Sequence, residues 1–368
     1  MHAARLDRVR TAMGEQGVDV LLVSVGADLP WLTGYEAMPL ERLTMLVVPR
    51  DAAATLVVPR LEAPRVTERP DVFSTAAFDE TTDPIALVAD LVGSAGTVAV
   101  GDRTWARFVL DLQGALTART WRRGSEITGP LRAVKDATEV AALRRAAGAA
   151  DRVAAQLQGG EIALLGRTEA EVSADLGRRL LGEGHHRVNF AIAASGPNAA
   201  SPHHEPGERV IGAGDVVLCD FGGTLASDGG AGYCSDITRC VSLGEPPAEV
   251  AEAYAVLHEA QAAAVATAMV GTPCEEVDAA ARRIIDAAGY GERFFHRTGH
   301  GIGVEEHEDP YVVAGNATPL EAGHAFSVEP GIYTPGMWGM RLEDIVVATP
   351  DGPDALNGAD HALVTIDA

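Results

Sequence analysis

Cysteine is scarce: the 368 residues hold four, Cys219, Cys234, Cys240 and Cys274, with neither CxxC pairing nor disulfide-scaffold density. That excludes a zinc knuckle and a disulfide-stapled module, and the four read as reduced thiols. Long apolar runs are also missing. None approaches the roughly 20 residues of a membrane-spanning helix, and Met1 to Asp7 carries no apolar core of signal-peptide length. The expectation is a cytoplasmic protein with no membrane partner. Basic residues are outnumbered, 29 against 52 acidic, for a formal net charge of -23. Such a surface repels phosphate backbones and anionic lipids, which argues against nucleic acid as a partner. What is present, 47% apolar residues, suffices for two domains with their own cores.

The first part of the chain reads as a mixed α/β layer. Leu6, Val9 and Met13 mark a short amphipathic helix stopped at Gly17, followed by an apolar strand from Val18 to Val25. Met45 to Val48, Thr55 to Val58 and Thr97 to Val100 are further strand candidates. The Gly- and Pro-bearing stretch Gly124 to Pro130 suggests a boundary, giving domains 1–128 and 129–368. Beyond it, two helices followed by strands occur twice, an internal pseudo-repeat. Asp136 with Glu139 and Thr168 with Glu171 form capping boxes in the first copy. In the second, an Ala-rich helix starts near Pro247, and Thr272, Pro273 and Glu275 read as cap, first-turn proline and third-position glutamate of the next.

Each helix pair leads into chemistry-bearing residues. VVLCDFG from Val216 and GYCSDITR from Gly232 read as a hairpin holding Asp220 and Asp236 in apolar β-type surroundings. Unpaired buried carboxylates there would each cost several kcal/mol, so a cation should meet them, unless they are turn residues facing water. HRTGHGIGVEEHEDP, from His296 to Pro310, holds three histidines, and its glycines disfavour a helix and with it an HExxH zinc motif. AFSVEPGIY and MRLEDIVVAT place Glu329 and Glu343 among apolar residues; strand alternation puts Arg341 and Glu343 on one face, where a simple buried ion pair is the plainer explanation. Together Asp220, Asp236, His300, Glu329 and Glu343 make an oxygen-rich set suited to Mn, Co, Fe or Zn. Four carboxylates match two divalent cations, which could share bridging carboxylates and generate a hydroxide nucleophile.

These segments, with SGPNAASPHH from Ser195 to His204 and the first-domain run LPWLTGYEA, resemble the aminopeptidase P, prolidase and creatinase family. The resemblance implies a creatinase-type α/β N-terminal domain and an α+β pita-bread catalytic domain with an internal pseudo-twofold. It makes Asp220, Asp236, His300, Glu329 and Glu343 ligands of two divalent ions, Mn2+ foremost, with Co2+, Zn2+ or Fe2+ as alternatives. His307 would bind substrate and stabilise the tetrahedral intermediate, His203 would assist proton movement, His296 would hydrogen-bond near the scissile region, and Arg341 matches the arginine beside the last glutamate. His204 has no such role and reads as a loop residue. A homodimer is implied, as is hydrolysis of the Xaa-Pro bond of a proline-containing peptide. Creatine hydrolysis needs no metal, and a non-catalytic binding protein would lack the ligands.

An Xaa-Pro dipeptidase is the favoured form, with an Xaa-Pro aminopeptidase acting on longer peptides as the alternative. A dipeptidase must recognise the terminal carboxylate, through a histidine or Arg341. ASDGGAG, from Ala226 to Gly232, looks like an insertion between the two aspartates, expected to stay on the surface. Cys234 is expected as a core filler or a neighbour of the metals, and Trp338 and Tyr311 as packing residues or a proline pocket.

Overall fold

A computed structural model describes residues 1–367. The chain divides into two compact units, Met1–Arg132 with Ser227–Gly232, and Ala133–Ala226 with Tyr233–Ala368.

The first unit is built on a six-stranded sheet in the order Phe73–Phe78, Ala54–Pro59, Met45–Pro49, Val20–Val23, Thr97–Val100, Thr120–Arg123. Val20–Val23 is buried at all four positions and flanked on both sides, which is why it reads as a continuous apolar run without alternation. The helix His2–Gln16 ends where Gly17 adopts φ 68°, a left-handed cap open to glycine. The two edge strands carry exposed residues between their buried ones and no continuous apolar run. Most of Gly124 to Pro130 lies in a helix, Ser125–Ala133. The insertion is not a free surface loop. Ser227–Gly232 packs within the first unit, where Gly229 O lies 2.9 Å from His2 Nε2 and Ala231 is 1% exposed.

The second unit repeats one order twice. Its first half has helices Ala137–Gln158 and Glu169–Gly182, then strands His185–Ser195, Val216–Leu225 and Ile237–Leu243 in one antiparallel run, with the short strand Tyr233–Cys234 beside them. Its second half has helices Ala248–Thr267 and Cys274–Ala287, then a five-stranded sheet ordered Glu308–Val312, Gly299–Gly301, Ala325–Val328, Asp344–Thr349, Gly352–Ala355. Both capping boxes of the first half form. The one expected at Thr272 does not, because Pro273 is itself the N-cap residue and makes no side-chain cap bond. An apolar cluster including Leu218, Cys240, Leu257, Val277, Phe326 and Val346 packs strands and helices of the two halves together. A bridge between Thr238 and Glu343 joins the halves at the residues that matter.

Candidate metal centre

Strand geometry sets the carboxylates. Asp220 lies mid-strand, opposite Thr238 on one side and Ile192 on the other. Asp236 sits in the break between Tyr233–Cys234 and Ile237–Leu243. His300 is the central residue of Gly299–Gly301, whose glycines are required by contact: a Cβ on Gly299 would fall 1.8 Å from Ser327 O, and one on Gly301 2.2 Å from Asp309 O. Val328 pairs with Asp344, so Glu329 and Glu343, one residue beyond each, share the end of that strand pair.

The structure brings the five residues together. Ligand atoms of Asp236, His300 and Glu343 lie within 4.8 Å of one another. His300 Nε2 is 3.2 Å from Glu329 Oε1 and 3.7 Å from Asp236 Oδ2. Hydroxyls aim the glutamates: Thr238 Oγ1 donates to Glu343 at 2.6 Å, and Ser327 Oγ to Glu329 at 3.0 Å. Asp220, Asp236, His300 and Glu329 face a cavity of about 710 Å³, which His203, His296, His307 and Arg341 also line.

Burial pushes Asp236 well above the usual carboxylate range, and the charges of Glu343, Asp220 and Glu329 push it further. Glu343 is raised the same way, by burial and then by Glu329 and Asp220. Asp220 is also raised by burial, although Arg341 opposes it. For Glu329 burial is outweighed by the hydrogen bond and charge of His300, and its pKa falls to about 2. One oxygen of Asp220 takes Arg341; the other, Oδ1, is buried with no hydrogen-bond partner. One arginine and one imidazole cannot balance four clustered carboxylates. The orphaned oxygen and the mutually repelling acids fit a divalent-cation site of oxygen ligands with one histidine.

Arg341 pairs with Asp220 rather than with Glu343, and also donates to Thr238 Oγ1, Tyr333 OH and Pro202 O. It is 2% exposed and bonded to the protein through all three guanidinium nitrogens. His296 Nδ1 donates to Arg297 O at 2.7 Å, so its Nε2 accepts from Tyr333 OH at 2.9 Å. Burial lowers His296 to about 4, and burial with the neighbouring His300 lowers His307 to about 4. The His307 ring centre is 3.9 Å from that of His300. His204 faces away from the cavity and lies 2.8 Å from the buried Glu169. Cys234 hydrogen-bonds Val304 O; the strand break before Asp236 ends the alternation that would have placed both on one face. Trp338 is core, and Tyr311 lies under the Arg297 guanidinium.

Sequence reasoning missed Tyr333, Thr238, Ser327, Arg297 and Glu169. Ser327 had a signal, being two residues before Glu329 on the same strand face. Arg297 also lines the cavity, half-buried, and pairs with no carboxylate among the described residues.

This fold and acid-rich centre are those of a known class. Residues 141–350 match the model of metallopeptidase family M24, and residues 5–134 that of the Creatinase/Prolidase N-terminal domain. The chain belongs to family M24, a family of divalent-metal peptidases, and carries in sequence order a creatinase-type domain and then the family's pita-bread catalytic fold. It is 42% identical over 370 residues to a Mycobacterium bovis protein named "Probable dipeptidase PepE", covering 100% of this chain and 97% of that one. A prolidase from Thermococcus sibiricus superposes with TM-score 0.92 at 34% identity, covering 100% and 99% of the two chains. An X-Pro aminopeptidase from Thermotoga maritima gives 0.85 at 29%, covering 98% and 99%.

Proposed function

We propose that the protein is a prolidase-like Xaa-Pro dipeptidase, with Asp220, Asp236, His300, Glu329 and Glu343 holding two divalent cations, Mn2+ foremost, and with the chain acting as a cytoplasmic homodimer. When bound, the cations supply Lewis acidity toward the scissile carbonyl and a source of hydroxide at neutral pH. The side chains do the rest. Thr238 and Ser327 fix the glutamates, and His307, neutral at pH 7, is available to accept a hydrogen bond or a proton at the cavity wall. His203 faces the same cavity, where the proline nitrogen must gain a proton as it leaves. His296 is committed as acceptor to Tyr333, which in turn receives Arg341, so this chain orients rather than exchanges protons.

The observation that carries dipeptide over longer peptide is Arg297. It is the cavity-wall arginine without a carboxylate partner, and so the group available to a C-terminal carboxylate one residue beyond the cleaved bond. Arg341 is buried and bonded to protein groups through all three of its nitrogens. The tertiary Xaa-Pro amide, with its slow cis/trans exchange, suits a pocket shaped for one isomer. Hydrolysis of Ala-Pro and Ala-Pro-Ala side by side, on metal-stripped protein before and after Mn2+, tests the reading. Manganese-dependent cleavage confined to Ala-Pro is expected; preference for the tripeptide would make the protein an aminopeptidase, and cleavage of neither would sink both.

A further inference from the structure

The loop from Ser195 to His204 carries His203 to the cavity, and one carboxylate grips both of its ends. Glu169, at the start of helix Glu169–Gly182, has no solvent exposure. Its Oε1 accepts the Ser195 N–H at 2.7 Å and the Ser195 hydroxyl at 2.8 Å. Asn198 Nδ2 bridges both oxygens at 3.2 and 3.0 Å, and His204 Nε2 donates to Oε2 at 2.8 Å. Ser195 Oγ is held in turn by Arg209 Nε at 3.0 Å. From the cavity side, Arg341 donates to Pro202 O at 3.3 Å.

His203 therefore stands between two anchored neighbours, Pro202 on one side and His204 on the other. Its own side chain is exposed and makes no hydrogen bond among the described residues, so its position depends on theirs. We propose that Glu169 and His204 are positioning residues whose function is to hold His203 against the substrate. The inference rests on the placement of His203 at the substrate given under the proposed function. A carboxylate buried this completely persists only because every oxygen is satisfied, so loss of the His204 donor frees the loop at the residue next to His203.

The test is a double-mutant cycle on the Mn2+-loaded enzyme with Ala-Pro: H204L, H203A and H203A/H204L, with H204Q as the conservative variant, since its amide nitrogen reaches the place of Nε2. We expect H204L to lower kcat by about 10- to 100-fold with KM little moved, as for a misplaced group remote from the chemistry, and metal content to stay at the wild-type value. H204Q should regain most of that loss. With His203 already removed, H204L should cost nothing further in kcat. Equal losses in both backgrounds, or a wild-type kcat for H204L, would overturn the inference. Wild-type turnover by H203A would instead overturn the placement of His203. Should H204L fail to fold, E169Q in the same cycle asks the same question, its effect again expected to vanish without His203.

Discussion

The two halves of the catalytic unit solve one problem with different parts. In each, a helix acid accepts both the N–H and the hydroxyl of the residue that opens a histidine-bearing segment. Glu169 takes Ser195 at 2.7 and 2.8 Å, and Asp278 takes Thr298 at 3.1 and 2.7 Å. The remaining partner differs. Glu169 is completed by His204, whereas Asp278 is completed by Arg282, whose other nitrogens reach Phe294 O and His296 O. The carboxylates divide as well: the first half contributes two aspartates and the second a histidine with two glutamates. Ser327 and His300 serve Glu329 within the second half, but Thr238 of the first half aims Glu343 and Arg341 of the second meets Asp220. The centre is a product of the join.

The largest effect should come from breaking that shared centre. D236N or E343Q is expected to lower turnover of Ala-Pro by at least roughly 100-fold, because loss of even an outer partner of a metal costs about 10- to 100-fold. The same D236N change should stabilise metal-stripped protein, since Asp236 is held far above its ordinary 3.8 by burial and three acidic neighbours. A raised folded pKa gives stability that is complete below the unfolded value and is lost as pH rises through the folded one. The gain in Tm of D236N over wild type should therefore be small near pH 4 and grow toward pH 7. A gap that shrinks with rising pH would contradict the crowding of these carboxylates.

The join itself can be cut at Lys135, the chain's one lysine. Its side chain, 1% exposed, donates to Glu308 Oε1 at 2.6 Å, and its backbone N–H to Gly323 O, tying the start of the first half to two strand ends of the second. K135M should cost about 3–5 kcal/mol in urea unfolding by leaving a buried acid without its cation, and K135M/E308M should recover most of it. No such recovery would mean that the pair, and not the stranded charge, sets the cost. D278N comes next, at about 1–3 kcal/mol, because an amide cannot accept from Thr298 and Arg282 as the carboxylate does.

Much of the centre could be read in the sequence because its four acids stand among apolar residues within or beside strands, where an acid has no reason to sit unless something meets it, and its histidine stands in a glycine-rich run. The two-helices-then-strands order survived for a similar reason, as burial periodicity is local. What escaped was set by neighbours distant in sequence. Thr238 and Ser327 look like ordinary strand residues until Glu343 and Glu329 pack against them. In the sequence Glu169 is one more first-turn acid, and only burial with Ser195, Asn198 and His204 shows its use. Arg341 was placed with Glu343 because alternation sees one strand, whereas its partner Asp220 belongs to the other half. Phe73–Phe78 and Thr120–Arg123 escaped as edge strands, whose exposed residues interrupt the apolar run.

The smallest expected effect separates the halves at their helix starts. Thr168 accepts the Glu171 N–H at 3.2 Å while Glu171 returns a bond to the Thr168 N–H at 2.9 Å, so T168A removes half of a reciprocal cap. A loss of about 1 kcal/mol follows. Thr272 heads the same Thr-x-x-Glu spacing before the second half's shorter helix and reads as its cap, yet it lies one residue ahead of the N-cap, Pro273, and that helix has no side-chain cap bond. T272A should stay within about 0.5 kcal/mol of wild type, as for a substitution away from any specific bond. Urea unfolding of the two variants in parallel decides whether the caps are unequal: matching losses would mean that Thr272 caps its helix in solution, and the halves would then differ in their acids and partners but not in how their helices start.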